Sequence, residues 1–259
     1  MTTLKLYNAP QSTCSQRVRF VLHCKELKFV EHKLDLFSGD QLKPDYLTIN
    51  PNGVVPTLIH DDRIIIDSAV IMQYLDEIYP GCCPLVPADA AERAKMRSLV
   101  AYVDEIPTPA IRIPSYNLAF LPYFSAMSEE EFVALANSKP LRKEFLLTMG
   151  RKGFSEEDMV TAMDRLGRAL ERMDETIRDC GGPWLMGEHL TLADIAIMPV
   201  VVRLDDINLS EMWAGKPTVA RWLETLKLQP AFEPTYYPGS LLTEKYPHLH
   251  KRFKKDVLH

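Results

Sequence analysis

The stretch NAPQSTCSQRVRFVL, residues 8–22, places three hydroxyl groups and a thiol directly ahead of an apolar, basic helix pattern. Apolar residues recur at helical spacing from Ser15 to Lys25, which predicts a helix there. The segment TLKLYN just before it alternates apolar and polar residues, as a short strand does. The stretch therefore predicts a strand that leads through a polar loop into a helix.

Four side chains crowd the start of this helix: Ser12, Thr13, Cys14 and Ser15. A single hydroxyl would cap a helix, and Ser and Thr are favoured in that role. The first turn of a helix also has unsatisfied N–H groups and a partial positive charge, which stabilise an anion. Such surroundings lower the pKa of a thiol from about 8.5 into a range of about 3.5–7.5. The cluster predicts either simple capping or a site that holds an external thiol as its thiolate.

The following segments extend the pattern to the order β-α-β, loop, β-β-α. KFVEHKLDL (28–36) indicates a second strand, and GDQLKPDYLTINPNG (39–53) indicates an irregular helical turn. VVPTLIHDDRIIIDS (54–68) has two apolar runs separated by charged residues, which is typical of a hairpin. Ser68 to Ile78 has one apolar face and predicts a helix. This order predicts a small mixed sheet covered by helices.

The sequence changes character after Pro80. GCCPLVPADAAER (81–93) is a proline-containing linker, and no convincing strand pattern follows it. We therefore expect two domains, an α/β domain in residues 1–81 and an all-α domain in residues 88–259. The helices expected in the second domain span 89–105, 129–136, 141–149, 155–179, 191–204 and 216–228.

The composition narrows the functional classes. With 259 residues, 46% apolar residues and a formal net charge of −5, the chain matches a soluble globular protein and lacks the basic character of a nucleic-acid binder. No apolar run approaches the roughly 20 residues that span a bilayer, and the N-terminus does not predict a signal peptide. The five cysteines include the neighbours Cys82 and Cys83 and fit no disulfide framework, which indicates a reducing cytoplasm. No Cys/His spacing predicts a metal site.

Two further motifs stand at the ends of predicted elements. In GVVPTL, Pro56 begins a strand, and a cis Val55–Pro56 bond would present the Val55 backbone to a peptide-like ligand. In IIIDSAV, Asp67 and Ser68 stand at a helix start. There they either cap the helix or bind an amino-acid head group.

Together, and in this order, the three motifs resemble the glutathione transferase superfamily. The resemblance covers nearly the whole chain, and it implies a thioredoxin-like α/β domain that binds glutathione, followed by an all-α domain. LMGEHLTLADIAIMPV supports it, because Thr191 and Asp194 form a capping box ahead of an apolar helix, as in the C-terminal core of that family.

The segment STCSQRVR (12–19) resembles SSCSWRVR of the zeta class, the glutathione-dependent maleylacetoacetate isomerases. The resemblance implies that Ser12 is the catalytic donor to the glutathione sulfur and that Thr13 takes the position of the second serine. Beta-class enzymes place a cysteine where Cys14 stands, so Cys14 is the second catalytic candidate, followed by Thr13 and Ser15. With Ser12 the glutathione thiolate attacks the substrate directly, whereas Cys14 would allow a mixed disulfide and thiol transfer.

The same resemblance implies the contacts of the peptide part of glutathione. The Val55 backbone, set by Pro56, pairs with the cysteinyl unit, and Asp67 and Ser68 hold the γ-glutamyl end.

The glycyl end is expected at Gln41 or Lys43. Val54 departs from the family pattern here, because many relatives carry Lys or Gln at its position.

Between residues 110 and 155 the chain contains more sequence than a minimal transferase has in this region. The segment MSEEEF, a Pro-and-basic stretch and RKGF before a long helix are similar to one branch of bacterial β-etherases, which use glutathione to displace an aryloxide from β-aryl ethers. The active-site stretch departs from that branch and is closer to the zeta class. The aromatic residues of the segment either pack the helical domain or form an electrophile pocket: Tyr116, Phe120, Tyr123 and Phe124.

These observations predict a glutathione transferase that acts on small apolar, aromatic electrophiles, with β-aryl ether cleavage as one candidate reaction. The alternatives are a cis–trans isomerase of the maleylacetoacetate type and a non-catalytic glutathione-binding protein, since fold does not fix function. The resemblance also implies a homodimer. We expect glutathione as the cofactor, a cytoplasmic location, and no metal, membrane or nucleic-acid partner.

Overall fold

A four-stranded mixed sheet forms the N-terminal part of the chain, in a computed structural model that describes residues 3–81 and 83–251. Its strands follow the spatial order β2-β1-β3-β4, with β1 parallel to β2 and antiparallel to β3, and β3 antiparallel to β4. The strands and their helices are β1 (Leu4–Asn8), α1 (Thr13–Cys24), β2 (Val30–Lys33), α2 (Pro44–Ile49), β3 (Thr57–His60), β4 (Arg63–Ile66) and α3 (Ser68–Ile78). The predicted element order is confirmed.

The strand register brings the predicted motifs to one edge of the sheet. Asn8 lies opposite Lys33, Tyr7 opposite Thr57, and Thr57 opposite Ile66. The C-terminal ends of β1, β2 and β4 and the N-terminal end of β3 therefore share this edge. All three sequence motifs follow or precede these strand ends, so the fold gathers them.

Helices make up most of the chain after the linker. They are α4 (Ala90–Glu105), α5 (Pro107–Ser115), α6 (Leu121–Ser125), α7 (Glu129–Asn137), α8 (Lys143–Met149), α9 (Glu156–Cys180), α10 (Leu192–Asp206), α11 (Pro217–Lys227), α12 (Phe232–Thr235), α13 (Leu242–Lys245) and α14 (His248–Lys251). The six predicted helices match α4, α7, α8, α9, α10 and α11 to within two residues at each end. The predicted capping box of α10 is also present.

Helix α5 has no counterpart among the predicted helices, because three prolines interrupt its sequence. Pro107 and Pro109 fall in its first turn, where no backbone N–H is required. Pro114 lies inside the helix, and the chain then continues through a π-helical turn at Tyr116–Phe120. Such turns re-space side chains and are frequent at functional sites.

A buried arginine ties the sheet to the helices. Arg17 of α1 donates from Nε to the carbonyl of Ala196 on α10 at 2.8 Å and from Nη2 to Thr108 Oγ1 on α5 at 2.7 Å. It also forms an ion pair with Asp104 of α4. These three contacts, on α4, α5 and α10, fix α1 against the helical part.

The remaining expectations concern thiols, metals and membranes. Cys14, Cys83 and Cys180 form no disulfide, and Cys82 lies outside the described residues. Within 3–81 and 83–251, no group of three or more His, Cys, Asp or Glu side chains is placed to hold a metal ion. None of the helices in these ranges combines the length and the apolar character required to cross a bilayer.

Candidate active site

A cavity of about 460 Å³ lies at the shared sheet edge, between the strand ends and the helical part. Its volume falls within the range of small-molecule sites, which is about 300–1,000 Å³. Its wall includes the loop before α1, the start of α1, the segment after β2, the residues before β3, and parts of α5, α6 and α8.

The N-terminus of α1 supplies the polar part of the wall through Ser12, Thr13 and Cys14. Ser12 is the N-cap, and its Oγ accepts a hydrogen bond from the Ser15 amide at 3.2 Å. The hydroxyl proton of Ser12 has no acceptor among the described residues and is available to a ligand. Ser15 is different, because its buried Oγ accepts from the Ala9 amide at 3.3 Å and does not line the cavity.

The backbone at this point favours an anion. The amides of Thr13 and Cys14 make no hydrogen bond within the described residues, since they precede the first complete turn of α1. Unpaired N–H groups and the positive end of the helix dipole together form an anion site. The structure shows that Ser12 caps the helix with its oxygen, and this capping leaves the hydroxyl proton available to a ligand.

Two buried arginines hold the loop that leads to this site. Arg19 donates to the Ala9 carbonyl at 3.3 Å and to the Pro10 carbonyl at 2.9 Å. Arg203 of α10 donates to the Gln11 carbonyl at 2.5 Å. Burial lowers the pKa of Arg203, although nearby Asp206 opposes this effect. The carbonyls of the three residues before Ser12 thus all accept hydrogen bonds from buried arginines, which fixes the position of the Ser12 hydroxyl.

The motifs VP and DS lie at the same sheet edge but differ in their relation to the cavity. The Val55–Pro56 bond is cis, the geometry considered above for this motif, and Val55 lines the cavity, whereas Pro56 does not. Asp67 caps α3 by accepting from two amides, and its backbone has an unusual φ of 72°. Ser68 is buried and accepts from Arg17 at 3.4 Å. Asp67 and Ser68 are not part of the cavity wall.

Gln41 carries an unsatisfied atom into the cavity wall. Its side chain is 4% exposed, its Nε2 donates to the Leu36 carbonyl at 3.3 Å, and its Oε1 has no partner among the described residues. Lys43, the other glycyl candidate, forms an ion pair with Asp40 at 2.7 Å and does not line the cavity. Val54, at the position that departs from the family pattern, does line it.

Aromatic rings form the apolar wall. Tyr116, Phe120, Tyr123 and Phe124 all line the cavity, as does Phe37 from the segment after β2. Their centroids are close, with Phe37 at 5.2 Å from Phe120 and 4.7 Å from Tyr123. The four predicted residues therefore both pack together and face the cavity.

The sequence patterns missed several residues of the wall. Phe37 and Tyr246 contribute rings from segments far from residues 116–124, and burial raises the pKa of Tyr246 to about 12. Arg112 and Arg142 add cations. The only sequence signal for any of them was the Pro-and-basic stretch that includes Arg142.

Comparison with known proteins relates both parts of the chain to one family. The family model of the glutathione S-transferase N-terminal domain matches residues 6–82, and that of the C-terminal domain matches residues 118–230. The chain is 32% identical over 248 residues to glutathione S-transferase Z1 of Arabidopsis thaliana, covering 94% of this chain and 93% of that protein. It is 29% identical over 227 residues to a probable maleylacetoacetate isomerase of Caenorhabditis elegans, covering 88% and 90%.

A second set of similarities is with a β-etherase. The chain is 28% identical over 242 residues to Protein LigF of a Sphingobium strain, covering 89% of this chain and 92% of that protein. The crystal structure of the β-etherase LigF superimposes with a TM-score of 0.80 at 26% identity, over 90% of this chain and 98% of that chain.

Proposed function

Because the chain belongs to the glutathione S-transferase family, whose co-substrate is glutathione, we propose that Ser12 donates its hydroxyl proton to the glutathione sulfur and holds it as the thiolate. The proposal depends on one observation, which is that the oxygen of the Ser12 hydroxyl has a partner while its proton has none among the described residues. Its Oγ is occupied by the Ser15 amide, so its proton remains for a ligand at the cavity wall. The unpaired amides of Thr13 and Cys14 add to the stabilisation of a negative sulfur.

The peptide part of glutathione is assigned to the sheet edge. Val55 lines the cavity, and its backbone is assigned to the cysteinyl unit; the unpaired, buried Oε1 of Gln41 suits the glycyl N–H. Lys139 Nζ lies 3.4 Å from the same Leu36 carbonyl that Gln41 contacts, and this nearby cation supports the assignment of the glycyl carboxylate to this part of the cavity. The γ-glutamyl end is assigned to the start of α3, as the sequence implies.

The γ-glutamyl assignment is supported by the strand register. Thr57, the first residue of β3, pairs with Ile66, the last residue of β4. Pro56, which precedes β3, and Asp67, which follows β4, therefore lie side by side at the same end of the sheet. Asp67 is exposed and Ser68 is buried. A ligand amine is therefore expected to contact the Asp67 carboxylate, with Ser68 acting through the fixed start of α3.

The proposed reaction is nucleophilic attack of the thiolate on an aromatic electrophile held against the aromatic wall. In substitution at a β-aryl ether, a C–S bond forms and the C–O bond breaks, and the aryloxide leaves with the bonding electron pair and becomes a phenol on protonation. The protein contributes by lowering the proton affinity of the sulfur and by holding both reactants in one cavity. The similarity to LigF supports this choice.

The proposal is tested with one preparation of the full chain. Calorimetric titration measures glutathione binding, and incubation with a β-aryl ether model compound measures the loss of thiol and the release of phenol. We expect binding and one thiol consumed per phenol released. Binding without turnover on a panel of aromatic electrophiles would contradict the proposed reaction, and failure to bind glutathione would contradict the proposed site.

Isomerisation of the maleylacetoacetate type is the second candidate, and the similarity of STCSQRVR to the zeta class favours it. The thiolate would add to a cis double bond, allow rotation, and leave again. Maleylacetone in the same preparation tests this candidate. Isomerisation leaves the amount of free thiol unchanged, whereas ether cleavage consumes it.

We further infer a cytoplasmic homodimer with a glutathione-binding domain in residues 1–81 and a helical domain in residues 88–259. The family similarity supports these inferences. Ile64 on the edge strand β4 and Val70 on α3 are each about half exposed, at 49% and 51%, and offer apolar surface for a second copy. Sedimentation at several protein concentrations tests the dimer, and separate expression of the two segments tests the domains.

A further inference from the structure

Two arginines of the cavity wall have no carboxylate partner. Arg112 of α5 and Arg142, which precedes α8, both line the cavity, and neither has a carboxylate oxygen within 4.0 Å among the described residues. Among the described residues, the Arg142 side chain donates only to the carbonyl of Leu141, at 3.2 Å. Another lining cation is neutralised, because Arg203 pairs with Asp206 at 3.7 Å.

The electrostatics of the pair are unfavourable without an anion. Burial lowers the pKa of Arg142, and the neighbouring Arg112 lowers it further. Both guanidinium groups also act on Tyr116, where they oppose the raised pKa that burial gives to its hydroxyl. Partly buried like charges are stable only when a counter-charge or hydrogen bonds compensate them. No carboxylate of the described residues forms an ion pair with either guanidinium, so a ligand is the natural source of the counter-charge.

The pair faces the part of the cavity assigned to the electrophile. Arg112 and Tyr116 are four residues apart and both line the cavity from the helical side. The Tyr116 ring packs on Phe120 at a centroid distance of 4.9 Å, and its hydroxyl has no hydrogen-bond partner among the described residues. Arg112 and Arg142 therefore line the same cavity as the aromatic wall and the start of α1.

The glycyl carboxylate of glutathione is assigned elsewhere. Lys139 contacts the Leu36 carbonyl beside Gln41, on the strand side of the cavity. The segment between α7 and α8, which contains Lys139 and Pro140, packs against Gly53. A Cβ atom on residue 53 would lie 3.2 Å from the Pro140 ring, and the φ of Gly53 is 59°, so this position requires glycine. The glycyl end thus has its own cation, which leaves Arg112 and Arg142 for the second reactant.

We propose that Arg112, Arg142 and the Tyr116 hydroxyl form an anion subsite that binds a carboxylate carried by the electrophile. The substrate class is then an aromatic acid rather than a fully apolar electrophile. Arginine binds carboxylates through two parallel hydrogen bonds, and such contacts are stronger than those between neutral groups. This inference rests on the proposed function, because it assumes that the cavity brings glutathione and an electrophile together.

Product analogues test the subsite without requiring turnover. Calorimetry on the full chain compares S-benzylglutathione with its 3- and 4-carboxybenzyl forms and with the matching carbamoylbenzyl forms, which have the same size without the charge. We expect at least one carboxyl form to bind about tenfold more tightly than its amide, as charge-assisted hydrogen bonds predict. We expect Arg112→Met and Arg142→Met each to abolish most of this gain. Lys143→Met is the matched control, because Lys143 is exposed and does not line the cavity.

Each outcome separates this inference from the proposed function. If S-benzylglutathione binds and neither carboxyl form gains over its amide, the anion subsite is wrong and the proposed function stands. If S-benzylglutathione itself does not bind, the proposed function fails and the subsite fails with it. A glycinamide analogue of S-benzylglutathione gives the third arm. If only this analogue loses affinity, and the loss disappears in Arg142→Met, the arginines bind the glycyl carboxylate and the inference is overturned.

Discussion

Replacement of Ser12 by alanine tests the proposed role of the N-cap most directly. The change removes the hydroxyl proton that Ser12 offers at the cavity wall. It also removes the oxygen that accepts a hydrogen bond from the Ser15 amide at 3.2 Å. Two separate losses are therefore expected, one in the acidity of the bound thiol and one in stability.

The size of the first loss follows from the strength of a hydrogen bond to an ion. Such a bond contributes about 1.5–3 kcal/mol, which corresponds to about one to two pKa units. If the site lowers a thiol pKa from about 8.5 to about 6.5, roughly three quarters of the bound glutathione is thiolate at neutral pH. Raising that pKa to about 7.5–8.5 reduces the thiolate fraction, and kcat/KM with it, by about 3-fold to 25-fold. The deficit should shrink as the pH rises, because alkaline solution ionises the thiol without help.

The assay is the thiolate absorbance of bound glutathione as a function of pH, together with the pH profile of kcat/KM. Loss of the cap should also lower the free energy of unfolding by about 1 kcal/mol. Ser155→Ala is the matched control, because Ser155 caps α9 in the same way and lies outside the cavity wall. It should reproduce the loss of stability and leave the thiol pKa unchanged.

Two results would refute the reasoning about Ser12. If Ser12→Ala binds glutathione with an unchanged thiolate pKa and Thr13→Ala raises it, the donor is Thr13. If neither variant changes the pKa, neither hydroxyl activates the thiol, and only the backbone amides and the dipole of α1 remain to do so.

Three further predictions test other parts of the structure. Cys14→Ser should keep kcat/KM within about twofold, measured with the aromatic electrophile, and a loss of activity would instead support thiol transfer through Cys14. Phe37→Ala removes a ring whose centroid lies 5.2 Å from that of Phe120 and 4.7 Å from that of Tyr123, so the KM for an aromatic electrophile should rise about fivefold with the KM for glutathione unchanged; an equal rise in both would contradict this role. Arg17→Met should lower the free energy of unfolding in urea by about 3 kcal/mol, since it leaves Asp104 and the Ala196 carbonyl without their partner, and an unchanged midpoint would refute the importance of this contact.

Much of the fold was predictable because it depends on local patterns. The six predicted helices of the C-terminal part appear within two residues of their expected ends, since their apolar periodicity and their caps are encoded in adjacent residues. Helix α5 escaped prediction, because its prolines suit positions that only the formed helix defines. The two buried arginines of α1 also escaped it, since nothing local distinguishes an arginine that is satisfied by distant carbonyls from one in solvent.

The sequence by itself indicated a polar helix start with Ser12, Thr13 and Cys14, although the predicted helix began at Ser15 and α1 begins at Thr13, and it predicted the order of strands and helices along the chain. A capping cluster and the succession of elements are properties of adjacent residues, whereas the spatial order of the strands, which brings the VP and DS motifs to one edge, is not. Only the tertiary structure decided which residues surround this helix start. Separate segments bring together the Phe37 and Tyr246 rings, the unpaired Gln41 oxygen, and Arg112 and Arg142. Their positions depend on how helices pack over the sheet, and no periodicity within one element records which face a distant element will meet.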